Sequence, residues 1–519
     1  MTKSKLSVMA IRFAAAIVGG LTSSLAFPRE NISPLIFVSV VLLFASVRNL
    51  KLLPSLAVGF TGGLAFYLSQ IEWLSLYLGP IPWLALSILE ASIFALGMLC
   101  VSVVWRWLDA SLIRESKFRN LFTAAALATL WTSREWISIS IPYGGFPWSR
   151  LAQTQSETFL SKWVYLGGLG ALTFAVAFIS AVILQWILTY RVKKVLPDIA
   201  SLSAVAILLI TPALVQPATD AQSGEITIGA VQGNANAGLF ANEVPGTILK
   251  NHLEATKLLK NKIGFEDLNV VVWPENASDL SPFSSATAYQ EIKNLVDNQI
   301  KVPLVFGTIT QRGDELFNSS ILWQPNKGAT DYYDKKRPVP FAEYVPDRDF
   351  WYQLAPDLIG LISRGYTFGT RDGIFEVGNA KLGTLICFEI AIDDIGRSLV
   401  ADGAQIIISQ TNNADFGHSD ETYQQAAFAR LRAIETGRVV VNVSTVGVSA
   451  IYAPDGSVIE QVPSFEPAVM LQKLPLRDSI TPAVIIGPVF DLLVNLAAAL
   501  LIALAFYKSA WPPARRARM

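Results

Sequence analysis

The chain has 519 residues, of which 52% are hydrophobic and only 16% are charged. Soluble domains carry about 25% charged residues, and one hydrophobic core rarely extends beyond about 250–300 residues, so a wholly soluble single-domain protein is excluded. With 28 Phe, 14 Tyr, 13 Trp and two Cys, the composition also excludes a disordered chain and a disulfide scaffold.

The net charge is zero, but the charges are unevenly distributed. Residues 1–217 contain 16 Lys and Arg against 8 Asp and Glu, residues 218–478 contain 21 against 32, and residues 479–519 contain 4 against 1. We therefore predict a transmembrane helical bundle of seven spans at 1–217 and an acidic extracytoplasmic domain at 218–478. A C-terminal transmembrane helix with a basic cytoplasmic tail is expected at 479–519.

Eight segments are apolar over about the 20 residues that a helix needs to cross ~30 Å of hydrocarbon. They run over 6–27, 31–47, 52–71, 83–105, 121–141, 163–189, 198–217 and 484–507. The basic residues that flank them all fall on one side if every segment crosses once, which predicts cytoplasmic termini and an exported residue range 218–478. These flanking residues are Lys3, Lys5, Arg48, Lys51, Arg106, Arg114, Lys117, Arg119, Arg191, Lys193, Lys194, Arg515, Arg516 and Arg518. A cleaved signal peptide at 1–27 is the alternative, but six further spans follow it directly.

The segment from Trp131 to Gln155 is rich in aromatic residues, glycine and proline, and it includes Phe146 and Trp148. Trp and Tyr favour the membrane–water boundary, so an interfacial anchor is one interpretation. A lipid entrance on the outer side is the other, and it makes Phe146 and Trp148 candidate lipid contacts.

From about residue 222 the pattern changes to short apolar runs that alternate with helical segments, which predicts an α/β domain. Strands are expected at Glu225–Gln232, Leu268–Trp273, Pro303–Ile309, Ser320–Trp323, Leu382–Phe388, Gln405–Ser409 and Val439–Val443. Helices are expected at Pro245–Lys262, Ala286–Asn298 and Asp420–Arg438.

Several classes of site are excluded by what the sequence lacks. The only histidines are His252 and His418, which leaves little for a histidine metal site or a Ser-His-Asp triad. Neither a phosphate-binding P-loop nor a dinucleotide-binding glycine motif is present, and the acidic domain argues against nucleic acid. We expect no metal, no cofactor and no nucleic-acid partner. The sequence has no heptad pattern that would favour a dimer, so we expect a monomer.

Three residues at the ends of predicted strands or beside them have the chemistry for acyl transfer. Cys387 ends one apolar run, Glu275 follows another after Trp273-Pro274, and Lys335 lies in a proline-braced loop. Taken singly, each has an ordinary interpretation: a buried inert thiol, a surface carboxylate and a solvated cationic run. Together they supply a nucleophile, a base and an oxyanion partner. Cys100 lies within an apolar span, where a packing role is expected.

The motifs Trp273-Pro274-Glu275, Tyr333-x-Lys335, Leu385-Ile386-Cys387-Phe388-Glu389 and Ala429-Arg430-x-Arg432-Ala433-x-Glu435 resemble those of the nitrilase (carbon–nitrogen hydrolase) superfamily. The eight spans, Gly145-Phe146-Pro147-Trp148 and the segment 339–346 are similar to one family within it, the apolipoprotein N-acyltransferases. The resemblance implies a four-layer α-β-β-α sandwich outside the bacterial cytoplasmic membrane. It also implies a ping-pong reaction that moves a fatty acyl chain from a phospholipid, through a cysteine thioester, to the α-amino group of an apolipoprotein's S-diacylglyceryl-cysteine.

The resemblance implies roles for further residues. Glu275 would be the base, Lys335 and the backbone amide of Phe388 would hold the oxyanion, and Glu343 and Glu389 would support them. Possible lipid or substrate contacts, besides Phe146 and Trp148, are Phe240, Phe341 and Asn412. The sequence departs from the family at Phe388, Asp415 and Phe240, where a tyrosine and two tryptophans are usual, which puts substrate handling in doubt more than chemistry.

Two other functions are weighed against this one. A membrane-anchored amidase or nitrilase would hydrolyse a C–N bond with the same Glu-Lys-Cys set, using water as the acceptor. Eight spans are more than an anchor needs, which favours a lipid donor. A transporter or sensor with an extracytoplasmic binding domain would leave the ordered Glu-Lys-Cys set unexplained.

Overall fold

The computed structural model of the chain describes residues 3–111, 118–193, 198–238, 244–362 and 364–510. The helices are α1 (Lys3–Ser24), α2 (Leu35–Val47), α3 (Leu52–Gln70), α4 (Leu74–Leu78), α5 (Pro80–Ala110), α6 (Arg119–Ser138), α7 (Trp163–Lys193), α8 (Ile199–Leu214), α9 (Thr247–Thr256), α10 (Ala286–Asn294), α11 (Arg348–Leu354), α12 (Pro356–Leu361), α13 (Asp393–Ala401), α14 (Glu421–Thr436) and α15 (Pro482–Ala510). The strands are β1 (Glu225–Gln232), β2 (Val270–Val272), β3 (Leu304–Arg312), β4 (Glu315–Gln324), β5 (Gly328–Asp334), β6 (Ile374–Val377), β7 (Ala380–Ile386), β8 (Ile406–Thr411), β9 (Val440–Ser444), β10 (Ala450–Tyr452), β11 (Val458–Gln461) and β12 (Ala468–Pro475).

The chain divides into two compact units. The first, the helical unit, comprises Met1–Glu72, Pro80–Val215 and Ile485–Met519, and the second, the sandwich unit, comprises Trp73–Gly79 and Gln216–Val484. The short segment Trp73–Gly79, which the sequence analysis treated as part of a loop between two spans, therefore packs with the sandwich unit.

The helical unit has a helix at each of the eight predicted segments. Five helices of the described chain are long and apolar enough to cross a membrane: Leu6–Ser24, Leu52–Gln70, Pro80–Ala110, Phe159–Arg191 and Pro482–Tyr507. The helices α2 and α8 are apolar but shorter, and α6 carries Arg119, Arg134 and Glu135. The predicted count of eight spans is thus not confirmed, because length and polarity separate these three helices from the other five.

Small residues let α1 and α3 of this unit approach closely. A Cβ atom added to Gly20 on α1 would lie 2.6 Å from the carbonyl oxygen of Gly62 on α3 and 2.8 Å from Cβ of Ala65. Such close backbone approach is how helices gain packing energy in lipid, where apolar burial gives no advantage.

A buried ion pair holds the aromatic loop after α6 within the helical unit. Glu135 lies 3.4 Å from Nε of Arg150, and both side chains are almost fully buried. Glu135 also accepts hydrogen bonds from Oγ1 of Thr173 (2.7 Å) and the backbone amide of Leu151 (3.1 Å). In the same loop Phe146 and Trp148 stack with centroids 6.2 Å apart.

The sandwich unit contains two six-stranded sheets, and the predicted four-layer α-β-β-α architecture is confirmed. The strand orders are β12-β1-β2-β3-β4-β5 and β11-β10-β9-β8-β7-β6. Alternate residues of β1, such as Ile226 and Ile228, join residues such as Ile406 and Ile408 of the other sheet in one buried core. On the outer face of the first sheet, Val271 and Trp273 pack with α9 and α10, and α13 and α14 pack on the second sheet.

The strands that the sequence analysis predicted are those with the most apolar residues. Parallel pairing joins β1 to β2, β2 to β3, β7 to β8, and β8 to β9, so these strands lie at the middle of the two sheets. The strands β5, β6, β10, β11 and β12 were missed. Polar residues such as those of Gly328–Asp334 are tolerated at sheet edges, where the apolar pattern is weak.

Candidate active site

Cys387 lies at the end of β7, where the chain turns abruptly. Its φ angle is +53°, a left-handed conformation that non-glycine residues rarely adopt, and it begins a short 3₁₀ turn, Cys387–Ala391. A strand followed by a sharp turn presents a side chain above the edge of the sheet. As a whole residue Cys387 is half-buried, whereas the strand before it is buried.

Glu275 approaches the same place from the other sheet. It follows the end of β2 by three residues and is 5% exposed. Its Oε1 accepts a hydrogen bond from Nδ2 of Asn318 over 2.7 Å and lies 3.4 Å from Nζ of Lys335. The side chain of Cys387 lies near enough to this carboxyl group to lower its pKa, which places a proton acceptor close to the thiol.

Lys335 directly follows β5 and is 1% exposed. Its Nζ lies 2.9 Å from Oε2 of Glu343 and 3.4 Å from Oε1 of Glu275. Glu343 is held in turn by Nδ2 of Asn318 (2.8 Å) and the backbone amide of Val339 (2.6 Å). A buried ammonium between two carboxylates keeps its charge, because nearby opposite charges favour the charged form.

The electrostatics of the three groups favour a neutral thiol at rest. Burial raises the pKa of Cys387 well above its ordinary value, and the neighbouring charge of Glu275 raises it further. Burial also raises the pKa of Glu275, although the ammonium of Lys335 opposes this. For Lys335 burial would lower the pKa, but Glu343 and Glu275 outweigh burial and raise it well above its ordinary value. The site therefore combines a permanent cation with a thiol that needs a base.

Glu389 links the turn of the nucleophile to the loop of the lysine. Its carboxylate is fully buried and accepts hydrogen bonds from the backbone amides of Ile386 (2.9 Å), Lys336 (2.7 Å) and Arg337 (3.1 Å). The hydroxyl of Tyr333 donates to both oxygens, at 2.9 and 3.0 Å. One side chain thus fixes the backbone on both sides of the site. It holds the amide of the residue before Cys387 and the amides of the two residues after Lys335.

The other residues singled out from the sequence are scattered. Phe388 is buried beside the nucleophile, and Phe341 packs edge-on against Trp351, with centroids 5.2 Å apart. Oδ1 of Asn412 accepts from the backbone amide of Ala414. Phe146 and Trp148 belong to the helical unit, and Phe240 lies outside the described residues.

The loop that lacks the usual tryptophan has its own packing. Burial raises the pKa of Asp415, which stands in that position, to about 6. The neighbouring Phe416 contacts Trp73 and Tyr77 of the segment Trp73–Gly79, with centroid distances of 5.0 and 5.7 Å. Nε1 of Trp73 also donates to Oε1 of Gln424 over 3.0 Å. Two aromatic residues from far earlier in the chain thus cover this loop.

Two residues that contact the site were missed from the sequence. Asn318 lies within β4 and bridges Glu275 and Glu343, and Gln425 on α14 donates from Nε2 to Sγ of Cys387 over 3.4 Å. Asn318 is followed in β4 by Ser319 and Ser320, so its polarity alone did not distinguish it. Nothing local distinguishes Gln425 from Gln424 beside it.

Within the described part of the chain, no group of three or more His, Cys, Asp or Glu side chains is arranged to hold a metal ion. The two cysteines, Cys100 and Cys387, are both free. The chemistry available at the site is therefore that of its carboxylates, ammonium, thiol and amides.

Two family models match the chain. Residues 227–480 match the model described as carbon–nitrogen hydrolase, and residues 19–182 match that of the apolipoprotein N-acyltransferase N-terminal domain. The first covers all of the site residues, and the second lies within the helical unit and the segment Trp73–Gly79.

Curated relatives extend the similarity along the chain. An apolipoprotein N-acyltransferase of Mycolicibacterium smegmatis is 33% identical over 322 residues, which is 58% of this chain and only 53% of that protein. One of Vibrio parahaemolyticus is 26% identical over 489 residues, covering 90% of this chain and 92% of the relative. Among solved structures, an amidase of the nitrilase superfamily from Nesterenkonia is 16% identical, with a TM-score of 0.38, over 50% of this chain and 95% of its own.

Proposed function

We propose that the chain is a membrane-bound acyltransferase that works through Cys387. The match of residues 227–480 to the carbon–nitrogen hydrolases and of residues 19–182 to the apolipoprotein N-acyltransferase N-terminal domain supports this proposal. The donor is a phospholipid, and the acceptor is the α-amino group of an S-diacylglyceryl-cysteine at the N-terminus of an apolipoprotein. The observation that carries the proposal is the meeting of Glu275, Lys335 and Cys387 at the ends of strands from both sheets.

In the first half-reaction Glu275 takes the proton of Cys387, and the thiolate attacks the carbonyl carbon of a phospholipid acyl ester. The negative charge that develops on the carbonyl oxygen is stabilised by the ammonium of Lys335 and the backbone amide of Phe388. When the tetrahedral intermediate collapses, the C–O bond of the ester breaks. The departing lysophospholipid alkoxide takes the proton from Glu275, and the acyl chain remains on Cys387 as a thioester.

In the second half-reaction the neutral α-amino group of the acceptor attacks the thioester carbonyl. Glu275 accepts a proton from the attacking nitrogen, the same cation and amide hold the oxyanion, and the C–S bond breaks. The sulfur leaves as a thiolate and recovers its proton from Glu275, which returns the site to its starting state. One carboxylate thus serves as base and acid in both halves.

The helical unit favours a phospholipid over a soluble molecule as the acyl donor, since five of its helices are long and apolar enough to span a bilayer. We also propose that both termini are cytoplasmic and that the sandwich unit lies outside the cytoplasmic membrane. Basic residues at the ends of the described helices, such as Arg48, Lys51 and Arg106, support this orientation by the positive-inside rule.

Incubation of the full-length protein in detergent with an acyl-labelled phospholipid, without acceptor, tests the proposal. We expect hydroxylamine-sensitive label on the protein and release of one lysophospholipid per chain. Cys387→Ala should abolish the label, and Cys100→Ala, the matched control, should retain it. Label that persists in Cys387→Ala would overturn the proposal.

Two further variants test the assignment of the base. We expect Glu275→Ala to lose the label and His418→Ala to retain it, because the ring of His418 stacks on Phe465 with centroids 3.8 Å apart. The opposite pair of results would show that the base is wrong. Addition of a diacylglyceryl peptide should then discharge the thioester as an amide, whereas an amidase would discharge it to water.

A further inference from the structure

The thiol of Cys387 has a partner besides Glu275. On α14, the buried side chain of Gln425 donates a hydrogen bond from Nε2 to Sγ of Cys387 over 3.4 Å. A hydrogen-bond donor beside a sulfur stabilises the thiolate relative to the thiol. An amide is suited to this purpose, because it donates without titrating and remains a donor through both halves of the reaction.

The hydrogen bond from Gln425 to Cys387 stabilises a thiolate in only one of the two orientations of the Gln425 side-chain amide. A glutamine side chain has a donor end and an acceptor end of nearly the same shape, and the reversed amide would place Oε1 against the sulfur and repel a thiolate. In the structure Oε1 of Gln425 accepts from Nδ2 of Asn413 over 2.7 Å. The direction of Gln425 is therefore set by that of Asn413.

The direction of Asn413 is set by two hydroxyl groups. Oδ1 of Asn413 accepts from Oγ of Ser444 (2.5 Å) and Oγ1 of Thr422 (3.3 Å). Each of these hydroxyls accepts in turn from a backbone amide, Gly447 for Ser444 (3.1 Å) and Val448 for Thr422 (2.7 Å). Because backbone amides can only donate, each hydroxyl keeps its single proton for Oδ1. This arrangement favours the orientation in which Nδ2 faces the other way.

Nδ2 of Asn413 has a second acceptor, Oε2 of Glu421, at 2.6 Å. Both protons of the Asn413 amide are thus used, one on Gln425 and one on Glu421. Glu421 is 2% exposed, so the chain of hydrogen bonds ends on a carboxyl group that is buried within the same polar cluster as the nucleophile.

We propose that Gln425 is a catalytic residue that stabilises the thiolate of Cys387, and that Asn413 and Glu421 are positioning residues that fix the direction of its amide. The inference rests on the proposed function, since it takes Cys387 as the nucleophile. By stabilising the thiolate, these residues would make it easier for a carboxylate base to take the proton of a neutral, buried thiol.

Glu421 has an additional electrostatic effect on the sulfur. Burial raises the pKa of Glu421 to about 8, with a contribution from the charge of Glu275, so this carboxyl is neutral at pH 7. Once ionised, it raises the pKa of Cys387 and disfavours the thiolate. The neutral form therefore keeps the hydrogen bond to Asn413 without a charge that opposes the reaction.

The other charged groups that act on the sulfur are Glu275 and Lys335. The charged groups on elements packed against α14 are paired with groups other than Cys387. Asp393 pairs with Arg432 and Arg397 with Glu435, both partners lying on α14, and Glu389 accepts hydrogen bonds from backbone amides.

The test measures the alkylation of Cys387 by iodoacetamide between pH 6 and 10, in the full-length protein with Cys100→Ala so that one thiol remains. Because the pKa of Cys387 is raised well above its ordinary value, the alkylation rate increases about tenfold per pH unit in this range. We expect Gln425→Leu, which keeps the volume but removes the donor, to lower the rate about tenfold at each pH, as a thiol pKa one unit higher requires. Thioester formation at neutral pH should fall about tenfold, which is the rate equivalent of one pKa unit. Gln424→Leu is the matched control on the same helix, because its amide contacts Trp73, and it should leave the alkylation profile unchanged.

Two other variants separate the inference from simple damage to the fold. Asn413→Asp removes the donor to Gln425 and should lower the alkylation rate, as Gln425→Leu does. Glu421→Gln keeps an acceptor for Asn413 but cannot ionise, and it should increase the alkylation rate above pH 8, an effect that misfolding would not produce.

An unchanged profile in Gln425→Leu, with Cys387→Ala still unlabelled by phospholipid, would overturn this inference and leave the proposed function intact. If Gln425→Leu does not fold, unchanged profiles in Asn413→Asp and Glu421→Gln would overturn it equally. Phospholipid label on Cys387→Ala would instead contradict the proposed function.

Discussion

Nδ2 of Asn318 donates a hydrogen bond to Oε1 of Glu275 across 2.7 Å. Both side chains are buried, so this bond is made without competition from water. A hydrogen bond to a carboxylate favours its ionised form, and it opposes the effect of burial, which raises the pKa of Glu275. The carboxylate that we propose as the base is therefore kept available by an amide from the neighbouring part of the same sheet.

We expect Asn318→Leu to lower kcat/KM for acyl transfer by about tenfold to a hundredfold, since the loss of a hydrogen bond to a charged group costs roughly 1.5–3 kcal/mol. The pKa of Glu275 should rise further, so the acidic limb of the pH profile should move to higher pH. The measurement is the pH dependence of kcat/KM in wild type and variant. Asn379→Leu, on the exposed turn between β6 and β7, is the control, and an Asn318→Leu profile that coincides with wild type would contradict the role of Asn318.

Glu389→Gln should destabilise the protein, because the role we assign to Glu389 is to hold the backbone of the site and not to contact substrate. The carboxylate accepts from three backbone amides and from Tyr333, and a glutamine would turn an NH₂ group toward some of these donors. We expect a loss of about 1–3 kcal/mol from the unsatisfied groups, measured as a lower thermal unfolding temperature. Glu376→Gln, at an exposed position of β6, should unfold like wild type. Equal unfolding temperatures for all three proteins would refute the structural role of Glu389.

The sequence was sufficient to locate residues at strand ends. Glu275 and Cys387 each follow a run of apolar residues, and the change from apolar to polar residues marks the place where a buried strand reaches the edge of the sheet. The same runs predicted an α/β domain, whereas the two-sheet sandwich was expected from the resemblance to the nitrilase superfamily. The edge strands β5 and β11 were missed because their polar residues give no period-two pattern.

The residues that surround this set could not be found in the same way. Gln425 and Glu421 lie in the first turns of α14, where polar residues are ordinary, and only tertiary packing buries them against Cys387. The segment Trp73–Gly79 reads as a short connection between two apolar helices. Its place beside Phe416 depends on aromatic contacts more than 300 residues apart in the chain, which no local pattern encodes.

Gly20→Leu should destabilise the helical unit. Even a Cβ atom at this position would lie 2.6 Å from a backbone oxygen of Gly62, so α1 and α3 would have to separate and lose their packing. We expect a lower unfolding temperature in detergent, consistent with the 1–3 kcal/mol that overpacking typically costs. Gly360→Ala, where an added Cβ meets nothing within 4 Å, is the control. A Gly20→Leu protein as stable as wild type would show that the close approach of α1 and α3 is not required.

Glu421→Gln should change how stability depends on pH. Burial raises the pKa of Glu421 to about 8 in the folded protein, whereas an unfolded chain titrates near 4.3. Between these values the unfolded chain has released a proton that the folded protein retains. The stabilising contribution of the neutral group is therefore present below about pH 4 and is lost as pH rises to about 8.

Glutamine stays neutral throughout, so Glu421→Gln should unfold at the same temperature as wild type near pH 4 or below it, and at a higher temperature at pH 8. Each kcal/mol regained at pH 8 corresponds to about 2–4 °C for a domain of this size. The measurement is thermal unfolding across this pH range, with Glu254→Gln as the exposed control on α9. A Glu421→Gln curve that runs parallel to wild type would mean that Glu421 is ionised in the folded protein, and the neutral carboxyl beside Asn413 would then have to be abandoned.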